Sequence, residues 1–208
     1  MTRAKSQAVG SRAAAVFQTS GQSGFTLAET MIAIVVTSVG IIGLLAVFAT
    51  AVTTTQNAQE NLVARQKALE TMESIYTARN TQQINFAQIA NISSGGIFTD
   101  GATPLLSAGP DGLVNTADDV DFPASGACPA GPECITLPGA DGILGTADDT
   151  AMSLANFSRQ IQIGNVLESD GVTVDPNLKQ ITVTVSYFSG GSTTARSYKV
   201  NALISAFR

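Results

Sequence analysis

Gly24-Phe25-Thr26-Leu27-Ala28-Glu29 opens an apolar run that carries one charge, Glu29, and then none until Glu60. From Thr30 to Val52 no residue is charged. That stretch of about 23 residues, at about 1.5 Å each, is long enough to cross a bilayer core of about 30 Å. Ahead of it lies a polar leader with Arg3, Lys5 and Arg12 and no acidic residue. Basic residues before a span stay on the cytoplasmic side, so the remainder of the chain is expected to be exported. A carboxylate at the edge of such a span costs roughly a few kcal/mol to bury unless it meets a partner. A plain anchor has no use for Glu29, and the pattern therefore points to a countercharge supplied by another subunit. In a secretory signal the apolar core is short and a small-residue cleavage site follows it. Here the expected cut, Gly24-Phe25, precedes the apolar segment, which would stay in the mature protein.

From Phe25 to about Asn80 the sequence reads as one helix, about 80 Å long and too long for a single globule. Its first half, residues 25–52, is apolar all round, as a membrane or filament-core helix must be. Its second half, residues 53–80, is expected to be amphipathic, with Leu62, Leu69, Met72, Ile75 and Tyr76 recurring at helical spacing. Gly40 and Gly43 sit in the apolar half, where each weakens a helix by up to about 1 kcal/mol relative to Ala. They mark either a point of bending or a place of close helix packing. Residues 81–155 are rich in Gly, Pro, Asp, Ser and Thr and read as a long connecting region with short structured pieces. Such a region is usually functional or variable rather than core. Alternating patterns return over residues 156–208: Phe157–Ile163, Ile181–Tyr187, and Tyr198–Ile204 after the Gly190-Gly191 turn signal. The expected fold is α+β, a long helix packed on an antiparallel sheet with one face laid against it.

Ser23-Gly24-Phe25-Thr26-Leu27-Ala28-Glu29 resembles the processing site of type IV prepilins and type II secretion pseudopilins. The resemblance implies that residues 1–24 are a leader removed by a prepilin peptidase. Cleavage would follow Gly24, Phe25 would become the N-methylated terminus, and Glu29 would neutralise a neighbouring subunit's terminal charge during assembly. It further implies other pilin or pseudopilin subunits and an inner-membrane assembly platform as partners. The implied location is the inner membrane as a single-pass protein, then a pilus or pseudopilus. Val39-Gly40-Ile41-Ile42-Gly43-Leu44-Leu45 and Ile181-Thr182-Val183-Thr184-Val185 look more like a minor pilin of the PilV or pseudopilin I type than a major one. The resemblance is strong over about residues 23–76, weaker over 156–206 and absent over 81–153.

Composition fits an exported structural subunit. The full chain has a formal net charge of -5, and loss of Arg3, Lys5 and Arg12 with the leader takes the mature side chains to -8. An acidic surface is a poor match to bulk nucleic acid. There is no His, and no nucleophile–base set is evident, so an enzyme is not expected. Cys128 and Cys134 enclose Cys-Pro-Ala-Gly-Pro-Glu-Cys. In an oxidising periplasm a disulfide is the simplest outcome, and a metal pair would lack the further ligands zinc needs.

One internal repeat stands out. Gly109-Pro110-Asp111-Gly112-Leu113-Val114-Asn115-Thr116-Ala117-Asp118-Asp119 recurs as Gly139-Ala140-Asp141-Gly142-Ile143-Leu144-Gly145-Thr146-Ala147-Asp148-Asp149. Each copy gathers three carboxylates without a Lys or Arg. Clustered carboxylates repel, and a hard cation with oxygen ligands relieves that best. Ca²⁺ is therefore an expected ligand, held by Asp111, Thr116, Asp118 and Asp119 in one copy and Asp141, Thr146, Asp148 and Asp149 in the other. The competing reading is a pair of solvated turns, in which Asp bonds its own backbone. The functional expectation is a structural filament subunit. A type II secretion pseudopilin is the near alternative, and a calcium-dependent adhesive or DNA-uptake surface protein is the one from another class. Against uptake, residues 81–208 carry few cations, and a small basic patch including Arg196 and Lys199 is the one feature that would favour it.

Overall fold

The computed structural model describes residues 24–126, 128–189 and 193–207. Its first element, α1, is one helix over Leu27–Asn80. Thr26 starts it: the Glu29 N–H donates to Thr26 Oγ1 at 3.2 Å, the bond by which an N-cap side chain satisfies an orphan donor of the first turn. Thr-x-x-Glu is also the spacing of a capping box. At the far end the helix unwinds through Gln82, left-handed at φ 65°, while the N–H groups of Gln83 and Ile84 return to the Ala78 carbonyl. The helix runs unbroken through Gly40 and Gly43.

The chain divides into two compact units, one ending at Phe48 and one running from Ala49. In the first unit every described residue is exposed, and its helical stretch is apolar enough to span a membrane. Its hydroxyls do not spoil that. Thr30 donates to the Leu27 carbonyl at 2.8 Å, Thr37 to Ala33 at 2.7 Å and Ser38 to Ile34 at 2.7 Å. A hydroxyl that bonds the preceding helical turn carries no unsatisfied donor into lipid.

The second unit adds six strands in chain order: β1 Thr103–Pro104, β2 Cys134–Leu137, β3 Thr150–Ser153, β4 Phe157–Leu167, β5 Val174–Phe188 and β6 Ala195–Ser205. Strands β1, β4, β5 and β6 form one antiparallel sheet in that order, and β2 pairs with β3 in a separate hairpin. All three strand patterns read from the sequence lie in β4, β5 and β6. Their alternation is the face rule of a half-buried sheet. Phe157, Arg159 and Ile161 point inward from β4, and Ile181, Val183, Val185 and Tyr187 from β5. The arrangement is α+β, as expected.

The helix face that meets this core differs from the expected stripe. Met72 and Ile75 are buried, but Leu62 and Leu69 are 63% and 45% exposed. Val63, Ala64, Ala68 and Ala78 are also buried, with Lys67, Thr71 and Arg79 beside them. Alanines let backbone and sheet approach closely, and the larger strand side chains fill the space. The hydrophobic contrast along the sequence therefore marks the inner face only in part: Met72, Ile75 and Tyr76 belong to it, and Leu62 and Leu69 do not. Polar side chains fix the contact: Tyr76 donates to the Leu203 carbonyl at 2.6 Å, and Arg79 to the carbonyls of Ser205 at 3.0 Å and Ala206 at 2.7 Å. Asn61 donates to the Tyr187 hydroxyl at 3.3 Å.

The connecting region is also more than a connection. Ile84, Ile89, Phe98, Leu105 and Leu113 are buried members of the central apolar cluster. Asn91 explains part of its order. Its side-chain amide donates to the Ile161 carbonyl at 2.8 Å and accepts from the Ile163 N–H at 2.9 Å, so one amide replaces a missing strand partner along β4.

Candidate functional site

Two places carry the residues singled out from the sequence. The first is the start of α1. Gly24, Phe25 and Thr26 lie outside the helix, so the Gly24-Phe25 bond sits in the non-helical stretch just before the cap. A Cβ placed on Gly24 would meet nothing within 4 Å. The fold therefore imposes no demand for glycine there, and any such demand comes from whatever enzyme reads the bond. Glu29 lies exposed in the first turn, and among the described residues its carboxylate accepts no hydrogen bond. The helix N-terminus favours a negative charge at that place by about 0.3–1 kcal/mol at a surface. Among the described residues, the group is free to take a cation.

The second place is the pair of aspartate loops, and the two copies have the same internal geometry. Asp118 Oδ2 accepts the Asp111 N–H at 3.2 Å, and Asp148 Oδ2 accepts the Asp141 N–H at 3.2 Å. Asp111 accepts from Leu113, and Asp141 from Ile143, each at 2.8 Å. Asp119 accepts from the Asn115 N–H and Asp149 from the Gly145 N–H, each at 2.7 Å. Thr116 and Thr146 donate their hydroxyls to Asp118 and Asp148, again at 2.7 Å in both. Gly109 and Gly139 are required by this closure. A Cβ on either would lie 2.2 Å from the Asp118 carbonyl oxygen or 2.3 Å from that of Asp148. The loops bring the residues proposed for calcium together, but mostly facing backbone donors. Among the described residues no group of three or more His, Cys, Asp or Glu is gathered as a metal set.

Between the copies, Cys128 and Cys134 form a disulfide. Glu133, beside it, reaches the buried Lys67 of α1, which also pairs with Glu70 at 2.9 Å. Burial pulls the Lys67 pKa down, but the hydrogen bonds and charges of Glu133 and Glu70 outweigh it and leave it raised. Arg159 lies buried nearby, its Nε donating to Asn115 Oδ1 at 3.1 Å and its Nη1 to Thr71 Oγ1 at 3.4 Å. Burial lowers its pKa, against the opposing charges of Asp119, Glu133 and Glu70. Nothing local in the sequence marks Lys67, Glu133 and Arg159 as neighbours.

Residues 19–52 match the model of the prokaryotic N-terminal methylation motif. This segment marks a type IV pilin-like or pseudopilin-like prepilin. The match ends within α1 and so describes the processing and anchoring end, not the head. No characterised protein and no solved structure matches the chain. For a prepilin-like chain, the motif implies peptidase processing and assembly with other pilin subunits in general terms. Together with the apolar helix it fits membrane anchoring. In that light the free carboxylate of Glu29 and the uncovered helix face are complementary facts: the described residues satisfy neither.

Proposed function

We propose that this protein is a structural, minor subunit of a type IV pilus or pilus-like filament. It is inserted in the inner membrane by residues 25–52, cut by prepilin peptidase after Gly24, N-methylated at Phe25 and drawn into the filament by its N-terminal helix. The observation that carries the reading is the start of α1. A capped helix begins two residues past the expected cut, its first-turn carboxylate is unpartnered within the described chain, and its next turns are apolar on every side. The work of such a subunit is mechanical. Packing of apolar helices holds the shaft, and the head offers a surface.

Intact-mass and N-terminal analysis of the filament-associated protein should give a chain beginning at N-methylated Phe25. Glu29→Ala should leave the fold of the head unchanged and reduce incorporation into filaments. A mature protein that retains residues 1–24, or a Glu29→Ala variant incorporated as well as wild type, would falsify this assignment of roles.

A further inference from the structure

A cavity of about 260 Å³ opens beside α1 in the second unit, and Arg159 of β4 lines it. Arg159 is 3% exposed, and burying a charge is costly unless it is paired and its hydrogen bonds are made. Those of Arg159 are incomplete. Its Nε reaches Asn115 and its Nη1 reaches Thr71, both neutral acceptors, while Nη2 has no acceptor among the described residues. Among the described residues Arg159 enters no salt bridge. Thr71 lines the same cavity, so the donor end of the guanidinium lies at the cavity wall.

The rest of the lining divides by chemistry. Glu70 and Glu133 both line the cavity and share one ammonium, that of Lys67. The Glu70 side chain is 60% exposed, where an incoming group can reach it. Around the cavity the cations Lys67 and Arg159 face the carboxylates of Glu70, Glu133 and Asp119, so the balance is against a net anion. Leu106, Val114 and Phe122 supply an apolar wall. A bare anion suits Arg159 and is repelled by the glutamates. A bare cation suits the glutamates and leaves Nη2 unmet. A molecule with an ammonium, a carbonyl or carboxylate oxygen and an apolar group answers all three. Volume limits its size: a water takes about 30 Å³, and drug-sized sites start at about 300 Å³. The space suits one residue of amino-acid size.

We propose that this cavity binds the ammonium end of an apolar α-amino acid or of a peptide that begins with one. The ammonium meets Glu70, the adjacent carbonyl or carboxylate oxygen accepts from Arg159 Nη2, and the side chain lies against Leu106, Val114 and Phe122. A free amino acid and a peptide amino terminus present the same groups to such a site. The cavity is built in the head by α1, β4 and the connecting region. It uses neither Glu29 nor the apolar half of the helix, so it stands apart from the filament reading above.

The test is calorimetric titration of the full-length chain in detergent with L-leucine, leucyl-glycyl-glycine, N-acetyl-L-leucine and isoamylamine. L-leucine or the tripeptide should bind saturably, and the tighter of the two identifies the source. Isoamylamine lacks the oxygen that a buried donor needs and should bind about tenfold more weakly. N-acetyl-L-leucine lacks the ammonium and should bind about threefold more weakly, the scale of an exposed charge pair. Arg159 is kept, because its loss would disturb the core, and the probe is changed instead. Glu70→Gln should weaken L-leucine about threefold, and Ala108→Leu, which fills the cavity, should abolish binding. Each variant is checked for its melting temperature and an intact Cys128–Cys134 bond, and the probe series stands without Ala108→Leu if that variant melts early. No saturable binding of either ammonium-and-carbonyl probe overturns the site. So does N-acetyl-L-leucine or isoamylamine binding as tightly as L-leucine, or a folded Ala108→Leu variant that binds like wild type.

Discussion

Thr116 and Thr146 stand at equivalent places in the two loops, each giving its hydroxyl to an aspartate two residues on. Those bonds, with the N–H groups of Asp111 and Asp141, hold the carboxyls of Asp118 and Asp148 below the ordinary carboxylate range. A depressed carboxylate stabilises the fold above its unfolded pKa, about 3.9, and loses that contribution as pH falls through the lower folded value. Asp119 goes the other way. Burial raises it, against the N–H donors of Asn115 and Thr116 and the charge of Arg159. Its contribution is fully present below the unfolded pKa and declines as pH rises through the raised one. Thr116→Val with Thr146→Val should therefore raise the pKa of Asp118 and Asp148 toward ordinary values in a carboxyl-detected NMR titration. Unmoved titration curves would show that the hydroxyls do not set these carboxylates.

Each aspartate loop is an element in its own right, closed by its own donors. The repeat was plain in the sequence, and so was the choice between ion site and turn. What the sequence could not show is where the carboxylate oxygens point, which depends on backbone N–H groups several residues away. With those donors in place, repulsion among the carboxylates is already partly answered. A ligand binding only the folded form at a hundred times its dissociation constant would add about 2.7 kcal/mol. We expect no such gain: millimolar Ca²⁺ or EDTA should leave the melting temperature of the chain in detergent unchanged. A rise with Ca²⁺ that vanishes in Asp118→Asn with Asp148→Asn would restore the ion site.

At the scale of the molecule, the head is held by a helix face that hydropathy alone disguises. Ala68 is fully buried and Leu69 is about half exposed. Ala68→Leu should cost about 1–3 kcal/mol by overpacking, and Leu69→Ala should change head stability by less than about 0.5 kcal/mol. Thermal melting of the two variants checks this, and equal losses would mean that α1 sits on the sheet by another face. Leu62 and Leu69 are then free for whatever surrounds the subunit in an assembly.

The N-terminal reading was available from the sequence because its signals are local: a charge-free run, a leader of one sign, and a glutamate at fixed spacing from a Gly-Phe bond. The strands were legible for the same reason, since alternation follows from the pleat and needs no partner to be seen. The folded arrangement decided the rest. It chose Ala64 and Ala68 over Leu62 and Leu69 as the helix's inner face, because close approach to the sheet rewards small side chains. It drew Lys67, Glu133 and Arg159 together from distant parts of the chain, Lys67 pairing with Glu133 and the buried Arg159 feeling that carboxylate's charge. It also gave two copies of one loop opposite surroundings, because Asn115 finds Thr99, Thr103 and Arg159 within reach and Gly145 has no side chain with which to reach anything.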